Sequence, residues 1–207
     1  MDTLCKLITV NCQLITLMRL FIAIELPDDL KDRLAGLKTV IPAANWVKRA
    51  GYHLTLSFLG EVDSARVPAL MAALSSIQSP SFSVTLRGAG RFPPKGAARV
   101  LWIGTETQPA LIALHQQVER ALVPLGFPPE DRSFSAHITL ARLKTDARRE
   151  VEAFLEKHRD WRADPFPVTA FHLIESTLTP QGAHYRIEHS FPLNEGASPH
   201  LTANSQA

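Results

Sequence analysis

Two short segments of this sequence, His53-Leu54-Thr55-Leu56 and His137-Ile138-Thr139-Leu140, each place a histidine and a threonine two residues apart with aliphatic residues between and after them. Side chains alternate across a β-strand, so in either segment the imidazole and the hydroxyl share one face while the aliphatic pair anchors the other face in a core. Two such strands facing across a cleft present two imidazoles and two hydroxyls to one volume. That set suits phosphoryl chemistry without a metal. One neutral histidine takes a proton from an attacking water, a second, protonated one donates to the leaving oxygen, and the threonines bind non-bridging oxygens. Histidine serves both tasks because its ordinary pKa, about 6.5, lets either form persist near neutrality. One such tetrapeptide on an apolar strand is a chance pattern; a second copy in matching context makes chemistry the better reading.

The surrounding sequence alternates short strands and helices. Strands are predicted at 20–26, 53–60, 82–88, 100–105, 137–141, 167–175 and 184–191, and helices after Pro27 (through the Leu30, Leu34, Leu37 stripe), at 64–77, 109–123 and 146–158. Prolines fall mostly between these elements. Each histidine segment lies on a predicted strand followed by a helix-like stretch. The expected architecture is therefore α+β and two-lobed, with a pseudo-twofold relation between the lobes.

The paired His-x-Thr-aliphatic motifs resemble those of the two-histidine phosphoesterase superfamily. Within it the chain is similar to the bacterial and archaeal RNA 2',3'-cyclic phosphodiesterases, also called 2'-5' RNA ligases. Supporting segments are 18–24, Asn45-Trp46-Val47, 53–60, Arg99-Val100-Leu101-Trp102 and His137-Ile138-Thr139-Leu140-Ala141-Arg142, so the resemblance spans residues 18 to 193. It implies that each lobe is an antiparallel sheet with helices on its outer face and a cleft between the lobes. It also implies hydrolysis of a ribonucleoside 2',3'-cyclic phosphate to the 2'-phosphomonoester with no metal or nucleotide cofactor, and a reversible 2'-5' joining to a 5'-hydroxyl end. The expected partner is RNA with a 2',3'-cyclic end. By similarity His53 is the general acid, His137 the general base, Thr55 and Thr139 are phosphate ligands, and Arg142 is a cationic phosphate contact. Strict alternation sets Arg142, five residues after His137, on the opposite face, so either the strand ends or twists near Ala141 or Arg142 is a solvated surface residue. Two other readings keep the same cleft: a relative acting on a small cyclic nucleotide or 2'-5' oligonucleotide, and a non-catalytic RNA-end binding protein.

Net charge is only +2 over 207 residues, so any argument for nucleic acid is local. Between Ser64 and Thr105 stand Arg66, Arg87, Arg91, Lys95 and Arg99 and no acid, and the 91–99 segment reads as an exposed loop, either plainly solvated or tracking an RNA backbone near the cleft. Phe21, Trp46, Phe58 and Trp102 are expected to pack in the core rather than stack on a base. Of the other histidines, 115, 158, 172, 184, 189 and 200, most read as surface or capping residues, and none is spaced as a zinc ligand set. No Gly-x-Ser-x-Gly or P-loop motif occurs. Both cysteines, Cys5 and Cys12, precede the main body, which suits a reducing, cytoplasmic setting, and a monomer with no membrane attachment is expected. Residues 1–17 read as a disordered or non-native extension, since they are too short and polar for a membrane helix and lack a cleavage site, and 194–207 as a flexible tail.

Overall fold

The computed structural model describes residues 16–131, 133–180 and 182–194. Its first strand, β1 (Leu17–Glu25), is the apolar run that Pro27 closes, and α1 (Asp28–Ala35) starts at once behind that proline. Asp28 and Asp29 in the first turn and Arg33 in the last complement the helix dipole. The remaining elements follow as β2 (Ala44–Trp46), β3 (His53–Asp63), α2 (Val67–Ser75), β4 (Phe82–Val84), β5 (Leu86–Phe92), β6 (Val100–Thr105), α3 (Pro109–Leu122), β7 (His137–Leu143), α4 (Arg148–Lys157), β8 (Phe166–Val168), β9 (Ala170–Thr179) and β10 (Gly182–Pro192).

Two four-stranded antiparallel sheets result, ordered β10-β9-β1-β3 and β2-β7-β6-β5, with β4 and β8 pairing separately. The lobes are interleaved in sequence: β2 crosses early to pair with β7, and the chain returns at its end so that β9 and β10 complete the first sheet. Each sheet carries one histidine motif, and β3, an edge strand, lies beside β7 of the other sheet. The 82–88 and 167–175 stretches, predicted as single strands, each break in two. The short halves, β4 and β8, leave the main sheets to pair with one another.

Helix faces and strand faces meet in one apolar core. Leu30 and Leu34 of α1, Leu70 and Leu74 of α2, Leu111, Leu114 and Val118 of α3, and Val151 and Phe154 of α4 join Ile22, Ile24, Leu54, Leu56, Ile138 and Leu140 in it. The four aliphatic residues of the two motifs are all buried there. Each is worth about 1.5–3 kcal/mol of burial, and a one-residue slip of either strand would expose its pair, so this burial fixes the register that aims the histidines. On the opposite face of the first sheet Phe21, Ala23 and Ile174 form a separate cluster.

The fold runs slightly past the bounds expected for it. Leu17 already belongs to β1, and Asn194 exchanges backbone hydrogen bonds with Ser79 (2.9 Å) and Ser81 (2.7 Å). The expectations for 1–15 and 195–207 lie outside the described residues.

Candidate active site

His53 and Thr55 project from β3 on the face away from the helices. His53 packs against the Phe21 ring (4.7 Å between centroids) and edge-on to Tyr185 of β10 (5.3 Å). Two strands separate β10 from β3 in the sheet order, so this contact requires the sheet to curl over its own concave face. Burial pushes the His53 pKa down to about 4, and the cations Lys31 and Arg142 add to the shift. Lys31, 8% exposed, binds Glu25 Oε2 at 2.5 Å, and Glu25 is the cross-strand partner of His53.

In the second sheet His137 and Thr139 occupy the matching positions on β7. The His137 Nδ1 lies 2.6 Å from the Ser135 carbonyl oxygen. A carbonyl only accepts, so Nδ1 carries the hydrogen and the lone pair of the neutral ring sits on Nε2. Burial lowers the His137 pKa, the Ser135 carbonyl opposes that by favouring the charged ring, and Arg142 lowers it further. Phe92 meets the His137 ring edge-on at 5.0 Å and Trp102 lies at 6.1 Å. Gly90 makes that wall possible: it faces Trp102 across the β5–β6 ladder, and a Cβ there would fall 2.0 Å from the indole.

Arg142 reaches the same face by a β-bulge. Trp102 pairs with Thr139 and Leu101 with Ala141, leaving Leu140 as an extra residue in β7. Leu140 and Ala141 are consecutively buried, alternation resets, and Arg142 turns outward beside His137 and Thr139. Its charge acts on both imidazoles. The alternation that set Arg142 on the opposite face fails because it assumes an unbroken ladder.

β3 contains the same device at the same motif position. Ala23 pairs with Thr55 and Ile22 with Ser57, so Leu56 is the extra residue. The consequence corrects the expectation for Phe58, which is 61% exposed and lies 6.1 Å from Phe21 instead of packing in the core with Leu54 and Leu56. Phe21 is buried, but in the concave-face cluster, and Trp46 and Trp102 are half-buried.

The basic stretch is less available than its composition suggests. Arg66 binds the Leu125 carbonyl and covers the Phe127 ring, and Arg87 pairs with Glu106. The Arg91 side chain, 17% exposed, is held by the Gly96 carbonyl (2.7 Å) and Glu152 (3.6 Å). Lys95 and Arg99 remain exposed on the β5–β6 hairpin, with Arg99 3.5 Å from the Lys144 carbonyl.

Two histidines that sequence reasoning does not single out also bear on this site. His115 is buried on α3, donates from Nδ1 to the Leu56 carbonyl (3.0 Å), and stacks on Phe134 at 3.9 Å, three residues before His137. It thus ties α3 to β3 and to the segment that enters β7. His172 of β9 faces the concave surface, where its Nδ1 is 2.9 Å from Ser190 Oγ. Neither shows a ligand spacing or motif that would mark it in sequence. Among the described residues no three His, Cys, Asp or Glu side chains gather as a metal-ligand set.

Comparison with known proteins identifies the family. The family model described as the 2'-5' RNA ligase superfamily matches residues 15–180. The chain is 32% identical over 172 residues to the RNA 2',3'-cyclic phosphodiesterase of Archaeoglobus fulgidus, covering 82% of this chain and 97% of that one. It is 33% identical over 176 residues to the protein of the same name from Thermotoga maritima, covering 82% and 92%. Among solved structures it is similar to E. coli LigT complexed with 3'-AMP, with a TM-score of 0.72 at 28% identity, over 87% of this chain and all of that one. A crystal structure of a Thermus thermophilus protein gives 0.72 at 29% identity, over 86% and 99%.

A two-lobed α+β fold with one His-x-Thr-aliphatic strand in each lobe defines the two-histidine phosphoesterase class. The order of the remaining segments is narrower still. Within that class the chain belongs to the 2'-5' RNA ligase superfamily, among the RNA 2',3'-cyclic phosphodiesterases.

Proposed function

We propose that this cleft hydrolyses the 2',3'-cyclic phosphodiester at the end of an RNA strand, giving a 2'-phosphomonoester without metal or nucleotide cofactor. His137 Nε2 takes a proton from water as the water oxygen bonds to phosphorus. The bond from phosphorus to O3' breaks, and His53 delivers its proton to that oxygen, leaving a free 3'-hydroxyl. Thr55, Thr139 and Arg142 bind the non-bridging oxygens as charge gathers on them. A 5'-hydroxyl in place of water gives a 2'-5' linkage by the same steps, and these steps are reversible.

One observation carries the reading: both motif strands turn histidine and threonine to one face, and the β7 bulge adds a guanidinium whose charge acts on both rings. The two environments also favour opposite roles. The Ser135 carbonyl supports the charge His137 acquires as a base. His53, protonated from solvent when the anionic phosphate sits beside it, gives that proton up readily because burial favours its neutral ring. The relatives' names supply the substrate class. The same reading makes the enzyme a cytoplasmic monomer with RNA as its partner and no membrane. Among the described residues no helix is long and apolar enough to cross one.

The test is turnover of a ribonucleoside 2',3'-cyclic phosphate with product analysis. Wild type is expected to give the 2'-phosphate alone, unaffected by EDTA, while His53→Ala and His137→Ala fold but lose turnover. Wild-type rates in both variants, or loss of activity on chelation, overturn the proposal.

A further inference from the structure

The cross-strand registers define a continuous row on the concave face of the first sheet: Thr55, Ala23, His172 and Ser190, one residue from each strand. Beside it runs a second row, Phe58, Phe21, Ile174 and Ile187, which is wholly apolar. The polar row therefore begins at a proposed phosphate ligand and ends, across the small Ala23 side chain, at a histidine held by a serine hydroxyl. At about 4.8 Å per strand, the His172 backbone lies two strands, roughly 10 Å, from that of Thr55, so a group held at His172 is a neighbour of the phosphate at Thr55 and not that phosphate itself.

We propose that His172 and Ser190 form a subsite that recognises the ribose 2'-hydroxyl of the nucleotide adjoining the cyclic end. This rests on the phosphodiesterase reading above. The 2.9 Å contact with Ser190 Oγ occupies Nδ1 and fixes the ring, leaving Nε2 for a ligand. The ring is desolvated, and the charge that acts on it is the Glu25 carboxylate, itself held by Lys31. A desolvated, neutral imidazole beside a carboxylate already paired with Lys31 offers no cation to a second phosphate and suits an uncharged group. A hydroxyl both donates and accepts, so it pairs with Nε2 in either tautomer. The neighbouring apolar row offers no competing hydrogen bond. Of the groups an RNA strand carries along such a row, the 2'-hydroxyl meets these conditions, and it separates RNA from DNA.

The experiment uses two dinucleotides with the same terminal ribonucleoside 2',3'-cyclic phosphate, one with a ribose and one with a 2'-deoxyribose in the adjoining position. For wild type, kcat/KM is expected to be about fivefold higher with the ribose, the worth of one net hydrogen bond. In His172→Ala that ratio falls to about one, and in Ser190→Ala, a smaller change that spares the ring, it falls part of the way. A wild-type ratio near one, or a ratio that survives in both variants, overturns the subsite. The corresponding cyclic mononucleotide separates the two readings. Wild-type turnover of it with no ribose preference in the dinucleotides removes the subsite alone, whereas no turnover of any of the three removes the reading beneath it.

Discussion

The depressed pKa of His53 makes a stability prediction independent of catalysis. In the unfolded chain this imidazole titrates near its ordinary value of about 6.5, whereas in the fold it is held down to about 4, chiefly by burial between Phe21 and Tyr185. As pH falls the unfolded chain therefore binds the proton first. The stability contributed by His53 is complete above pH 6.5, is lost from there down through pH 4, and does not return at lower pH. Integrating proton uptake between the two states gives a loss of about 2 kcal/mol by pH 5 and about 3 kcal/mol by pH 4. His53→Gln keeps a polar side chain of similar length and cannot titrate. Urea denaturation followed by tryptophan fluorescence, at pH 7 and pH 5 and constant ionic strength, gives four free energies. Their double difference cancels both the cost of the substitution at neutral pH and the parallel losses from His137, His158 and His172, whose pKa values are also lowered by burial. Wild type should lose about 2 kcal/mol more than the variant between the two pH values, a relative midpoint shift of about 1 M urea for an m-value near 2 kcal/mol/M. Parallel losses, within about 0.5 kcal/mol, would refute the claim that the fold desolvates this imidazole.

Other perturbations probe the supports of the site. Gly90→Ala drives a methyl group into the Trp102 ring, so a loss of about 1–3 kcal/mol in thermal denaturation is expected together with reduced kcat as the wall behind His137 shifts. His115→Ala leaves the Leu56 carbonyl without its donor and removes the Phe134 stack. A stability loss of about 2–4 kcal/mol should accompany a fall in kcat larger than any rise in KM, read by steady-state kinetics. Arg142→Met removes a cation that depresses both histidines. The acidic limb of the kcat/KM profile should move to higher pH while KM rises, and an unmoved limb would place the guanidinium away from both rings.

Much of this site is legible in the sequence because its signal is local. The alternation of His-x-Thr with aliphatic residues predicts which side chains enter the core, and Leu54, Leu56, Ile138 and Leu140 are all buried. Sheet composition is not readable in the same way, since nothing near Ala44–Trp46 states that its partner is β7, and nothing near β9 states that it returns to β1. Those pairings are settled by distant backbone partners and a shared core. Bulges are hidden for the same reason: an extra residue is extra only relative to a partner strand, so counting along their own strands assigns Phe58 and Arg142 to the wrong faces. The charged stretch misleads because a composition count cannot show that Arg66, Arg87 and Arg91 are already engaged by carbonyls and carboxylates.

Phe58 and Arg142 stand at the same place in the two motifs, five residues after the histidine, each turned outward by an extra leucine. Within the motifs themselves the two halves of the site are close to equivalent, with one imidazole and one hydroxyl on each side. A cyclic phosphate could be rotated by half a turn and meet the same imidazoles and hydroxyls, with acid and base exchanged. An aromatic ring on one side and a guanidinium on the other break this degeneracy. Together with the Ser135 carbonyl beside His137 and the Phe21 and Tyr185 rings around His53, they would give the proposed cleft a polarity and favour one way round for a substrate.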